Sequence, residues 1–155
     1  MNGKDFVKHE NNFNISKTWH KEFKKEWTEE EVTANIIKEI GYDIIRPERN
    51  YVYGKLYKMD NKGMICQYVE ETIIKDALEQ SVFKILDFGE DCFKDKECFP
   101  NGQRFYIGQW YKFSKYEYDK FKVGGEYVAM LPDITLKAHV SDPYYIDHLF
   151  LTPYI

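Results

Sequence analysis

Arginine is nearly missing from this chain of 155 residues, which has 3 Arg (Arg46, Arg49, Arg104) beside 19 Lys. Arg carries the planar fork that grips phosphates and guanine edges bidentately, so its scarcity weighs against direct nucleic-acid binding. The charge balance agrees. With 22 basic and 26 acidic residues the net charge is −4, whereas duplex and membrane-surface binders need a basic face. Cysteine is scarce and odd in number (Cys66, Cys92, Cys98), without a C-x-x-C pair. One chain therefore cannot build a four-Cys zinc site, and a disulfide framework is disfavoured. A single Cys92–Cys98 bridge would suit only a secreted protein; free thiols point to a reducing, cytoplasmic setting. Met1-Asn2-Gly3-Lys4-Asp5 has no apolar signal core. Gly3 stands one place too late for N-myristoylation, and no apolar run reaches the roughly 18 residues of a membrane helix. The P-loop, dinucleotide and nucleophile-elbow patterns are all missing. No cofactor, catalytic residue or metal ligand is expected from motif.

What is abundant is aromatic and acidic. Aromatics make up 17% of the chain and hydrophobics 43%, too many for a disordered polymer. One domain is the expected count. Area scaling buries about 69% of the unfolded surface, enough for a core without staples. Residues 1–15 are polar and are expected to form a flexible N-terminal segment, with a single α+β domain over 16–155.

The periodicities place the elements. Ser16 can cap a helix over 17–26, with Trp19 and Phe23 four apart and Trp27 continuing the stripe. Thr28-Glu29-Glu30-Glu31 fits a capping box, flanked by a Trp27/Val32 staple. It predicts a helix over 29–40 with Val32, Ile36, Ile37 and Ile40 inward and Gly41 as the stop. Strands are expected at Tyr42–Ile45, Tyr51–Lys58 and Met64–Val69, the last two joined by an Asp60–Gly63 turn. A helix over 71–80, a strand Val82–Phe88 and an acidic loop 89–103 follow. Then come a long strand Arg104–Phe113, a capping box Ser114–Glu117 opening a short helix that ends near Phe121, and a Gly124-Gly125 turn. Strands Glu126–Leu131 and Ile134–Val140 and an extended piece over 144–151 complete the chain. The fold class is therefore α+β: a mainly antiparallel curved sheet or small barrel with N-terminal helices packed on one face. The strand–helix–Val123-Gly124-Gly125-Glu126–strand passage is similar to one in small RNA-binding barrels of the PUA/ASCH kind, a turn too common to assign a family.

Four constellations carry chemistry. Residues 104–127 hold nine aromatics, and the expected 104–113 strand is apolar on both faces. Phe105, Ile107, Tyr111 and Phe113 point one way and Tyr106 and Trp110 the other, with Gly108 between. A half-solvated strand should not look like this, so helices cover the second face or it is a binding platform. Residues 70–98 hold nine acids and four Lys, a net of −5, with Glu90, Asp91, Asp95 and Glu97 clustered around Cys92 and Cys98. That loop lacks the calcium pattern. His139, Asp142, Asp147 and His148 could support hydrolysis or a metal, though their spacing matches no motif. His9 and His20 stand isolated.

These patterns favour a non-enzymatic binding protein of inhibitor, immunity or adaptor type, such as phages and mobile elements encode. Its site would be an aromatic/acidic surface of Tyr53, Tyr106, Trp110, Tyr111, Glu90, Asp91, Asp95 and Glu97, and its partner a protein with a basic surface. The alternatives are a small-molecule, sugar or nucleotide pocket lined by aromatics, and a small hydrolase using His139, Asp142 and His148.

Overall fold

The Thr28 capping box forms as its residues dictate. The Thr28 hydroxyl accepts the Glu31 N–H at 3.2 Å, and the Glu31 carboxylate accepts the Thr28 N–H at 3.4 Å. Helix α1 runs Glu29–Ile40 and ends at Gly41, whose φ of 95° places it in the left-handed region. Val32, Ile36 and Ile40 are buried. Ile37, expected in that stripe, is 49% exposed: it lies about 100° round the helix from Ile36. The structure, a computed structural model, describes residues 26–58, 70–114 and 118–146. The expected flexible segment 1–15, helix 17–26, Asp60–Gly63 turn, Met64–Val69 strand and Ser114–Glu117 box lie wholly or partly outside them. So do His9, His20, Cys66, Asp147 and His148.

The described chain is α+β. It has helices α1 and α2 (Glu70–Gln80) and strands β1 (Tyr51–Leu56), β2 (Val82–Phe88), β3 (Trp110–Phe113), β4 (Asp119–Val123), β5 (Glu126–Pro132) and β6 (Leu136–Val140). The strands form one antiparallel sheet in the order β4-β5-β1-β2-β3-β6. Because β4 and β6 stand at opposite edges, the sheet is curved and open rather than a closed barrel. Lys55 and Lys84 pair across β1 and β2, and both ammonium groups reach Glu39 of α1, at 3.8 and 2.8 Å. The helix therefore lies over that face. Its Val32, Ile36 and Ile40 join Val52, Leu56, Ile85, Leu86, Val128 and Leu131 in the core.

Several expected elements differ in the structure. Tyr42–Ile45 is irregular, not a strand; Tyr42 and Ile44 are exposed, and Ile45 alone of its apolar residues packs against the core. The expected Arg104–Phe113 strand shortens to Trp110–Phe113. Gly108 at φ 97° turns the chain, the Gln109 carboxamide accepts the Tyr106 N–H at 3.1 Å, and Gly108 N–H reaches Ile85 O at 2.8 Å. The burial survives without the strand: Phe105, Ile107, Tyr111 and Phe113 are all buried. Asp119–Val123 is strand β4 rather than the end of a short helix. Gly124 and Gly125, at φ 58° and 89°, make the mirror-image two-residue turn that matches strand twist and folds β4 back onto β5. Phe113 and Tyr118 pack edge-on, with ring centroids 4.6 Å apart. Asp133–Thr135 is a 3-10 turn, so β6 starts at Leu136 rather than Ile134. Pro143–Tyr145 is a 3-10 turn where an extended piece was expected.

Candidate functional site

The acidic loop after β2 is folded down by its apolar residues. Phe93 and Phe105 meet Phe88 edge-on, Phe99 packs edge-on against Phe93 and Phe105, and Phe105 meets Tyr111, which stacks on His139 at 5.2 Å. Phe93 sits at φ 69°, an uncomfortable conformation for a bulky residue. Its N–H is held by Asp133 at 2.9 Å, while the other Asp133 oxygen accepts the Asn50 amide at 3.2 Å. Asp133 is only 2% exposed, so this buried carboxylate pins the loop to the start of β6 and to the turn before β1.

With its rings turned inward, the loop turns its acids outward. Glu90, Asp91, Asp95 and Glu97 are all exposed. Asp91 pairs with Lys94 at 2.8 Å, and Asp95 accepts the Glu97 and Cys98 N–H groups. Glu90 also lines a groove that continues toward the start of α1. Two adjoining cavities of 630 and 410 Å³ share Glu29, Arg46, Asp87 and Phe88 as walls. Glu48 and Glu90 close one end, and Glu26, Trp27 and Ile107 the other.

Arg46 is the central cation of this groove, and it is already engaged. Its guanidinium reaches Glu29 at 2.8 Å, Asp87 at 2.9 Å and Asp43 at 3.3 Å, and donates to the Thr33 hydroxyl at 3.2 Å. Burial alone would lower its pKa; the Asp87 hydrogen bond and the charges of Asp87, Glu29 and Asp43 outweigh that and raise it. Asp87 also accepts the Phe88 N–H at 2.8 Å, yet its carboxyl lies above the usual range because burial prevails over Arg46. With Arg49 as the other cation in its wall, the groove still presents an excess of carboxylates over a floor of Phe88, Pro47, Trp27 and Ile107.

The aromatic half of the expected surface is divided. Tyr53 is 1% exposed and stacks on Phe121, and Tyr111 is 7% exposed, so both rings are core rather than surface. Tyr106 and Trp110 are half-buried; Trp110 meets Tyr57 edge-on at 5.5 Å. Neither lines the groove. Trp27, Glu29, Arg46 and Asp87, which do, were not singled out as site residues. The one available signal was that Arg46 is among so few arginines.

The thiols are poorly suited to nucleophilic chemistry. Burial, reinforced by Asp133, pushes the Cys92 thiol up to about 12. Cys98 is exposed, and desolvation followed by the Asp95 and Glu97 charges raises its pKa too. Asp142 caps the Pro143–Tyr145 turn by accepting the Tyr144 N–H at 3.0 Å. No cluster of His, Cys, Asp and Glu among the described residues could hold a metal ion, and no helix there is long and apolar enough to cross a membrane. No protein-family model matches the chain, and no curated protein matches it.

Proposed function

We propose that the protein is a non-enzymatic binding protein that takes a basic segment of a protein partner into the groove between α1 and the loop after β2. It would act as an inhibitor, immunity protein or adaptor. The observation that supports this reading is the internal neutralisation of Arg46 by Glu29, Asp43 and Asp87. It leaves Glu26, Glu48 and Glu90 in the groove walls against one further cation, Arg49, so the field there is net negative, beside the exposed Asp91, Asp95 and Glu97. Carboxylates around an apolar floor suit a Lys or Arg side chain, whose stem packs while its charge pairs. Such an interface gains most of its association rate from charge and weakens with salt.

Affinity capture from native lysate, repeated with Glu48→Lys/Glu90→Lys, tests it. The expected result is a partner retained at low ionic strength and lost both in the charge-reversed variant and in high salt. Capture that survives charge reversal and salt would sink the proposal.

A further inference from the structure

A third cavity shares no wall with the acidic groove and has the opposite electrostatic character. It measures 290 Å³ and lies between β6, the 98–105 segment and the 3-10 turn before β6. Arg104, Lys137 and His139 line it, with Tyr111 and the apolar Ile134 and Leu136. Arg104 and Lys137 form no ion pair or hydrogen bond among the described residues. The one carboxylate in the wall, Asp133, is buried and spends both oxygens on Asn50 and Phe93. Tyr111 is 7% exposed, and its hydroxyl makes no hydrogen bond among the described residues. Burial pushes that phenol's pKa up, and the Arg104 charge is near enough to oppose it.

The Tyr111 ring is buried but its residue lines the cavity, and with no hydrogen bond to a described residue its hydroxyl and the nearby Arg104 guanidinium are both available to a ligand's oxygens. In a protein of net charge −4, a positive cavity is also a local exception. We infer that this cavity binds a small organic oxyanion, a carboxylate or a phosphate ester. Arg104 and the Tyr111 hydroxyl hold the anionic oxygens, Lys137 adds charge, and the apolar body rests against Ile134 and Leu136. The volume lies at the bottom of the roughly 300–1,000 Å³ range of ligand pockets, so a compact molecule fits better than a dinucleotide. The site uses no residue of the proposed partner groove and stands or falls independently of it.

Calorimetric titration with phenyl phosphate, benzoate and neutral benzyl alcohol is the test, on the full chain. At least one anion is expected to bind with Kd below about 1 mM and the alcohol not at all. Preference for phenyl phosphate would identify the ligand as a phosphate ester, and preference for benzoate as a carboxylate. Arg104→Gln, a change at an exposed side chain, should weaken binding about tenfold or more, and Tyr111→Phe several-fold. The inference is overturned if neither anion binds at about 10 mM, if the alcohol binds as well as the anions, or if Arg104→Gln leaves the affinity unchanged.

Discussion

Asp133 shows how much one side chain decides here. It is buried and charged, and it holds a strained Phe93 backbone and an Asn50 amide at once. Asp133→Ala leaves two donors without an acceptor and is expected to cost about 3 kcal/mol. Asp133→Asn keeps one oxygen and should recover part of that loss; urea midpoints of the two variants measure the difference. The cysteines give a second contrast. Cys92 is buried with its thiol at about 12, whereas Cys98 is exposed. Brief alkylation at mild alkaline pH, mapped by peptide mass spectrometry, should label Cys98 and spare Cys92 until denaturant is added. Equal labelling of the two in the folded protein would contradict the packing of the loop.

Between strands, close approach matters more than propensity. Gly54 sits at the β1 irregularity, where an added Cβ would lie 2.2 Å from a Phe83 ring carbon and 2.6 Å from Lys84 O. Phe83 is fully buried and packed against Phe113, so it has nowhere to move. Gly54→Ala is therefore expected to cost about 2–3 kcal/mol. Gly125→Ala meets no atom within 4 Å and strains only its φ of 89°, so it should cost less. Thermal midpoints of the two variants rank the effects. At the sheet margin, Lys120 and Lys122 stand exposed along β4, which discourages pairing with a second chain. The elements that the sequence placed well were those with local signals: the Thr28 box, the β2 run and the Gly124-Gly125 turn. The short helix before that turn failed because its capping pattern competed with a hairpin that pairs Phe121 with Val128 and Val123 with Glu126.

For the molecule as a whole, charge placement controls the response to pH. Burial would raise the Glu39 carboxyl, but the Lys84 hydrogen bond and the Lys84 and Lys55 charges bring it below its ordinary value. A lowered folded pKa contributes stability above the unfolded value and loses it as pH falls through the folded one. Asp87 has the opposite sign: its raised pKa contributes stability in acid that is lost as pH rises through the folded value. Glu39→Gln should accordingly flatten the loss of stability on acidification, and Asp87→Asn should flatten the opposing trend. Urea midpoints measured across the acidic range check both signs, and an unchanged slope in Glu39→Gln would contradict the Glu39–Lys84 pair.

The sequence by itself determined the α+β class, the helix at 29–40, the outward acids of the 89–103 loop and the common side of Phe105, Ile107 and Phe113. These rest on interactions between near neighbours and on alternation, which a linear chain displays. Only the tertiary structure decided that Tyr53 and Tyr111 are core, that Arg46 gathers Glu29, Asp43 and Asp87, and that Arg104, Tyr111 and Lys137 share a cavity. Those groupings join residues from distant parts of the chain. Scarce arginine first weighed against nucleic acid; folding neutralises Arg46 within an acidic groove and sets Arg104, which pairs with no described residue, beside the Tyr111 phenol, because the order of strands sets which charges meet.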